Sequence, residues 1–145
     1  MRELDDIARA VVDAAFRLHH DLGPGLLETV YEQVLAAQLE RCGFEVVRQQ
    51  SIDITYAGLH FEGAFRADLI IDGRLLVENK SVEQLVPVHA KQVITYLRLL
   101  EMPLGLLVNF GGATFKGNVR RIANGQMPLA SLRLGERTTY SKDAG

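Results

Sequence analysis

Apolar residues in the first forty positions recur every three or four places, which predicts two amphipathic helices that share a core. The first runs from Leu4 to Leu22, with Ile7, Val11, Ala14, Ala15 and Leu18 on one face. Asp5 and Asp6 suit its positive N-terminal end, and Gly23-Pro24-Gly25 stops it. His19 and His20 fall in the last turn, where the helix C-terminus favours histidine, so they are read as end-of-helix residues and not as ligands. A second helix is predicted from about Leu26 to Arg41, with a buried stripe of Leu27, Val30, Tyr31, Val34, Leu35 and Leu39 and with Gly43 as its stop.

The period then changes from helical to alternating. Phe44 to Gln50 and Ile52 to Tyr56 form one long strand bent near Gln50-Ser51; Ala57-Gly58 turns the chain, and His60 to Ile71 returns it. Ala67, Leu69, Ile71, Leu75 and Val77 are all apolar and all odd-numbered, so two strands around Asp72-Gly73 point their odd positions at one core face. A two-residue loop would set Ile71 against Arg74 and break that parity. A three-residue loop with Gly73 in the left-handed position preserves it. Asp68 is then expected opposite Leu76 and diagonal to Glu78, roughly 7 to 8 Å away between backbones.

Beyond the hairpin, Pro87 is a suitable first residue for a helix over Val88 to Glu101, which buries Val93, Ile94, Leu97 and Leu100. Pro103 ends it. Leu104 to Val108 is a continuous apolar run, as in a central strand, and the strand-helix-strand order places it parallel to the strand bearing Glu78. Asn109-Phe110-Gly111-Gly112 makes a turn, and Thr114 to Ile122 reads as an edge strand guarded by Lys116, Arg120 and Arg121. The expected layout is one domain over residues 1–122. Residues 123–145 form a C-terminal extension whose last part, Gly135 to Gly145, is expected to be a mobile tail.

Composition narrows the class. The chain has 145 residues, 48% of them hydrophobic, which suffices for one real core. A net charge of -2 and a pI near 6.1 exclude a global basic field, so any nucleic-acid contact must be local. The single Cys42 excludes an internal disulfide, and no cysteine/histidine zinc pattern is present. With no apolar run approaching the roughly 20 residues of a membrane span, and no signal-peptide order at the N-terminus, a cytoplasmic protein with no membrane partner is expected.

The candidate chemistry lies around the Asp72-Gly73 turn. Asp68, Glu78 and Lys80 share the even-numbered face, and Asn79 offers its backbone carbonyl. Hard oxygen ligands beside a lysine suit Mg²⁺ and phosphate chemistry. Ile70 and Leu76 lie on the same face, which makes it less easily an ordinary solvated surface. Glu28 and Tyr31, three residues apart, either reach this site from the second helix or serve its N-terminal turn and the core. His89, Gln92 and Tyr96 form a polar stripe that either overhangs the hairpin or faces solvent. His60 and Glu62 lie too far along their strand to join.

Five segments occur in order: Gly25-x-x-Glu28-x-x-Tyr31; Arg66-Ala67-Asp68; Glu78-Asn79-Lys80; Gln92 with Tyr96-Leu97; and Leu107-Val108-Asn109-Phe110-Gly111. Together they resemble the PD-(D/E)XK nuclease superfamily and, more narrowly, the family named for its GxxExxY signature. The resemblance implies a restriction-endonuclease-like three-layer α/β/α domain. Its mixed sheet would comprise a three-strand antiparallel meander, a crossover helix, a parallel strand and an antiparallel edge strand. It also implies that Asp68, Glu78 and Glu28, with the Asn79 carbonyl, hold Mg²⁺, for which Mn²⁺ can substitute. Lys80 would orient or activate the attacking water, Gln92 would position water or phosphate, and Tyr31, Tyr96 and Arg66 would contact the substrate. The residue before Asp68 is Ala67 and not the proline of the superfamily's name. The implied activity is hydrolysis of DNA or RNA; the alternative is a catalytically inactive nuclease-fold module that binds nucleic acid or protein. A homodimer or protein partner could supply basic surface, with Lys91, Arg98, Arg120 and Arg121 contributing.

Overall fold

The computed structural model describes residues 2–125; the expected mobile tail lies outside the described residues. Three helices and five strands follow in the order α1 (Leu4–Leu22), α2 (Glu28–Arg41), β1 (Val46–Tyr56), β2 (Leu59–Ile71), β3 (Leu75–Lys80), α3 (Pro87–Leu100), β4 (Leu104–Asn109) and β5 (Val119–Ala123). The sheet runs β1-β2-β3-β4-β5, antiparallel except for the parallel β3/β4 pair that α3 connects. Leu69, Ile71, Leu75 and Val77 pack with Ile7, Val11, Tyr31 and Leu35 of α1 and α2. Ile70, Leu76 and Leu107 pack with Val93, Leu97 and Leu100 of α3 on the opposite side. Alternation along the strands thus fills two cores, and the domain has the three layers α/β/α. Among the described residues, no helix is long and apolar enough to cross a membrane.

α2 begins two residues later than its apolar pattern predicts, because a tertiary contact holds the preceding loop. The Tyr31 hydroxyl donates to the Gly23 carbonyl and accepts from the Leu26 N–H, while its ring stacks on Phe110 with centroids 4.5 Å apart. Leu27, expected in the buried stripe, is therefore 72% exposed, and Val30 is exposed as well.

The β2/β3 turn confirms the odd-to-odd parity but not every detail. Ile71 pairs with Leu75, Ile70 with Leu76 and Leu69 with Val77. Asp72 (φ 52°) and Gly73 (φ 66°) are both left-handed, and the Arg74 N–H closes on the Ile71 carbonyl at 3.0 Å, so Arg74 is the extra residue that restores parity. The Asp72 carboxylate steadies its own backbone by accepting the Glu45 N–H at 2.9 Å and pairing with Arg2 at 3.0 Å. Partner numbers in an antiparallel pair keep a constant sum. The next pair in this register therefore sets Asp68 directly across from Glu78, and not diagonal to it as the sequence reading had it. Ala67 is the odd-numbered exception, joining the core under α3.

At the other end of the sheet, β5 is shorter than expected. Residues before Val119 form a loop, closed by the Asn118 N–H on the Phe115 carbonyl at 3.0 Å. Asn109 ties this loop to the one after β3: its amide bonds the Val82 N–H, the Val82 carbonyl and the Asn118 side chain at 2.9 to 3.0 Å. His19 is buried and bonds the Gly112 carbonyl at 2.8 Å, which ties the end of α1 to this loop. The two loops cross so closely that a Cβ on Gly111 would lie 2.4 Å from the Val82 carbonyl oxygen and 2.5 Å from its nitrogen. Backbone cannot give way as a side chain can. Gly111→Ala is therefore expected to cost roughly 2 kcal/mol or more in urea unfolding, within the usual range for overpacking; an unchanged midpoint would show that the crossing is loose.

Candidate active site

Neighbouring strands present Asp68 and Glu78 to one another, and each carboxylate binds the other strand's backbone. Glu78 Oε1 accepts the Asp68 N–H at 3.0 Å, and Asp68 Oδ2 accepts the Asn79 N–H at 2.9 Å. The two carboxyl groups also hydrogen-bond each other. Burial dominates their protonation. Glu78 is 3% exposed, and that burial, reinforced by the Asp68 charge, pushes its carboxyl up to about 9. Asp68 is also raised, first by burial and then by the charge of Glu32, against the lowering effect of the Asn79 N–H.

Lys80 and α3 complete the near surroundings. The Lys80 ammonium donates to Gln92 Oε1 at 3.2 Å, and its charge lowers both acids by less than burial raises them. Gln92 also bonds the Tyr96 hydroxyl, whose acidity is weakened by burial and by the charges of Glu78 and Asp68. The Tyr96 ring stacks on Phe65 with centroids 4.1 Å apart. Asp68, Glu78, Lys80, Gln92 and Tyr96 are thus brought together.

Three other candidates are not. Glu28 sits exposed in the first turn of α2 and makes no hydrogen bond or ion pair among the described residues. Tyr31 is fully buried, with its hydroxyl committed to the loop before α2. Arg66 is exposed on β2 and forms no ion pair among the described residues. Asn79 lends its N–H to Asp68, while its side-chain amide is buried with neither polar atom hydrogen-bonded.

The structure adds a connection that the sequence reading missed. Gln49 donates from one amide nitrogen to Glu32 Oε1 at 2.6 Å and to Asp68 Oδ1 at 3.3 Å, and Arg48 pairs with Glu32 Oε2 at 3.0 Å. Gln49 holds this position with a left-handed backbone, φ 52°, within β1. The acid of α2 that couples to Asp68 is therefore Glu32 and not Glu28. One signal was available: Glu32 falls next to Tyr31 and one turn before Leu35 and Ala36, among the buried positions of α2, where an unpaired acid would be costly.

Among the described residues, no three His, Cys, Asp or Glu side chains converge as a ready metal site. The acidic donors are the facing pair Asp68 and Glu78. A buried Glu78 facing a half-buried Asp68 fits a hard divalent cation, whose charge would offset the burial and repulsion that raise both carboxyls.

A mixed sheet covered on both faces, with an Asp on one central strand facing a Glu-x-Lys on the next, defines a restriction-endonuclease-like core. The sequence profile of the PD-(D/E)XK nuclease superfamily matches residues 5–122, and the chain belongs to that superfamily. Neither the curated proteins nor the solved structures yield a significant match.

The Glu78 shift predicts a pH dependence of stability. The folded protein keeps this proton up to about pH 9, whereas the unfolded chain releases it near the ordinary value of 4.5. Between those limits the folded state binds more protons, so stability falls as pH rises, by at most about 1.4 kcal/mol per pH unit. Cation-free protein should therefore lose thermal stability from pH 5 to pH 9, and Glu78→Gln should flatten that slope. Parallel melting curves for the two proteins across this window would refute the burial argument.

Proposed function

We propose that this chain is a divalent-metal-dependent nuclease that hydrolyses phosphodiester bonds of DNA, or of RNA, at Asp68, Glu78 and Lys80, and that it falls in the GxxExxY group of its superfamily. The observation that carries the reading is the reciprocal clamp, which holds the buried Glu78 and the half-buried Asp68 face to face beside a lysine tethered to Gln92. Asp68 and Glu78 would hold Mg²⁺ or Mn²⁺, aided by the Asn79 carbonyl. Bound there, the ion supplies a water of lowered pKa and neutralises phosphate oxygens. Lys80 places a positive charge where negative charge develops on the phosphate in the transition state. Gln92 is a positioning residue, since one amide fixes both Lys80 and Tyr96. Glu32, through Gln49, orients Asp68 in the place first assigned to Glu28. A non-catalytic module on the same fold is the competing reading, favoured by the net charge of -2.

Calorimetric titration with Mn²⁺, followed by cleavage assays on DNA and RNA, tests the proposal. Wild type should bind Mn²⁺ and cleave; Asp68→Asn combined with Glu78→Gln should lose both. Lys80→Met should keep Mn²⁺ binding while cleavage drops about 10²- to 10³-fold, the scale of removing one transition-state contact. Undiminished cleavage by Lys80→Met would refute the assignment of the site. Cation and nucleic-acid binding without turnover in wild type would establish the module instead.

A further inference from the structure

A cavity of about 500 Å³ opens beside the acidic pair, lined by Lys80, Val88, His89, Lys91, Gln92 and Thr95. Every ionisable group in that lining is a base, and no carboxylate is present. Lys91 is exposed and forms no ion pair among the described residues. The Val86 N–H donates to His89 Nδ1 at 3.1 Å, so the ring proton lies on Nε2, which is left as a donor. The cavity also lies at the first turns of α3, whose positive end adds to the same field. An anion is the ligand this chemistry selects.

We infer that the cavity is a backbone subsite, which takes a phosphate flanking the one hydrolysed, on the same nucleic-acid strand. Lys80 supplies the geometric argument, because it stands both in the cavity wall and beside Asp68 and Glu78. A phosphate held by Lys91 and His89 is therefore next to one held at the acids. A strand is favoured over a free anion because Val86 and Val88 stand 47% and 61% exposed at this end of α3, as apolar surface for sugar or base. The subsite also resolves a difficulty of the whole chain: a net charge of -2 offers no global attraction, so the positive charge must be concentrated where the backbone lies. It reads no base, so the affinity it provides is indifferent to sequence. The inference deepens the nuclease reading and rests on it for the placement of the scissile phosphate.

Binding of a fluorescein-labelled ten-nucleotide oligothymidylate, measured by anisotropy without divalent cation across a salt series, tests this without cleavage. Lys91→Glu should weaken binding about tenfold or more and lower the salt slope by about 0.7, the single-strand value for one lost phosphate contact. Its Mn²⁺ affinity and melting temperature should stay at wild-type values. Arg9→Glu, an equal charge reversal on exposed α1 across the sheet, is the control and should change little. Wild-type binding that Lys91→Glu weakens, even where no preparation cleaves, would uphold the subsite while the nuclease reading failed. Equal losses in the two variants, or none in Lys91→Glu, would overturn the subsite. So would inorganic phosphate binding as tightly as the oligonucleotide, which would leave only a free-anion site.

Discussion

The reciprocal clamp between Asp68 and Glu78 is the interaction on which the geometry of this protein turns. Each carboxylate accepts a backbone N–H from the facing strand, so neither acid can rotate away without leaving a buried donor unmade. These hydrogen bonds lessen the burial and repulsion without cancelling them, since burial still holds the Glu78 carboxyl up at about 9. The clamp lets two carboxyls persist face to face in a region shielded from water. It also requires that Asp68 and Glu78 be direct partners, and this ties the geometry of the acid pair to the register of β2 and β3.

Register in turn depends on a turn at the far end of the hairpin. Arg74, as the one extra residue after Asp72-Gly73, decides that Ile71 meets Leu75. Without it every side chain of β3 would exchange faces, taking Glu78 and Lys80 away from α3 and burying them against α1 and α2. The two cores enforce the same choice, because Leu75 and Val77 fill one and Leu76 the other. Hydrophobic packing thus aligns the acids at no cost to itself. The surrounding polar groups refine the alignment: Gln92 restrains Lys80 from one side, and Gln49, on a left-handed backbone, joins Asp68 to Glu32 from the other.

The legibility of the chain divides along physical lines. α1 and α3 follow their predicted spans closely, because their apolar period is strong, Gly23-Pro24 stops α1, and Pro87 and Pro103 bracket α3. The start of α2 was misjudged because Tyr31 holds the loop before it by contacts to Gly23 and Leu26 that no periodicity records. β5 was overextended at its start: residues 114–118 have an edge strand's composition, but the Asn109 and Asn118 side chains draw them into a loop. In the site, Asp68, Glu78 and Lys80 were recognisable as neighbours because strand parity puts them on one face, whereas Gln92 was named through the family resemblance, since helix spacing alone left its stripe open to solvent. Glu32, Arg48 and Gln49 were not recognisable, since their meeting depends on how α2 lies across β1 and on the left-handed backbone of Gln49.

What the sequence determined by itself is whatever follows from local period and turn chemistry: the order of elements, the two apolar faces of the sheet, and the presence of an acid pair and a lysine on one of them. Those properties are set by backbone geometry over a few residues, and composition expresses them directly. Only the tertiary structure decided which acid of α2 couples to Asp68, that Tyr31 is a packing residue, and that Lys80 faces both the acids and a basic cavity. These outcomes depend on the relative placement of elements distant in the chain. The physical reason is that helix and strand patterns specify which face is buried, whereas the partner a polar side chain meets is settled by where the opposing surface comes to rest.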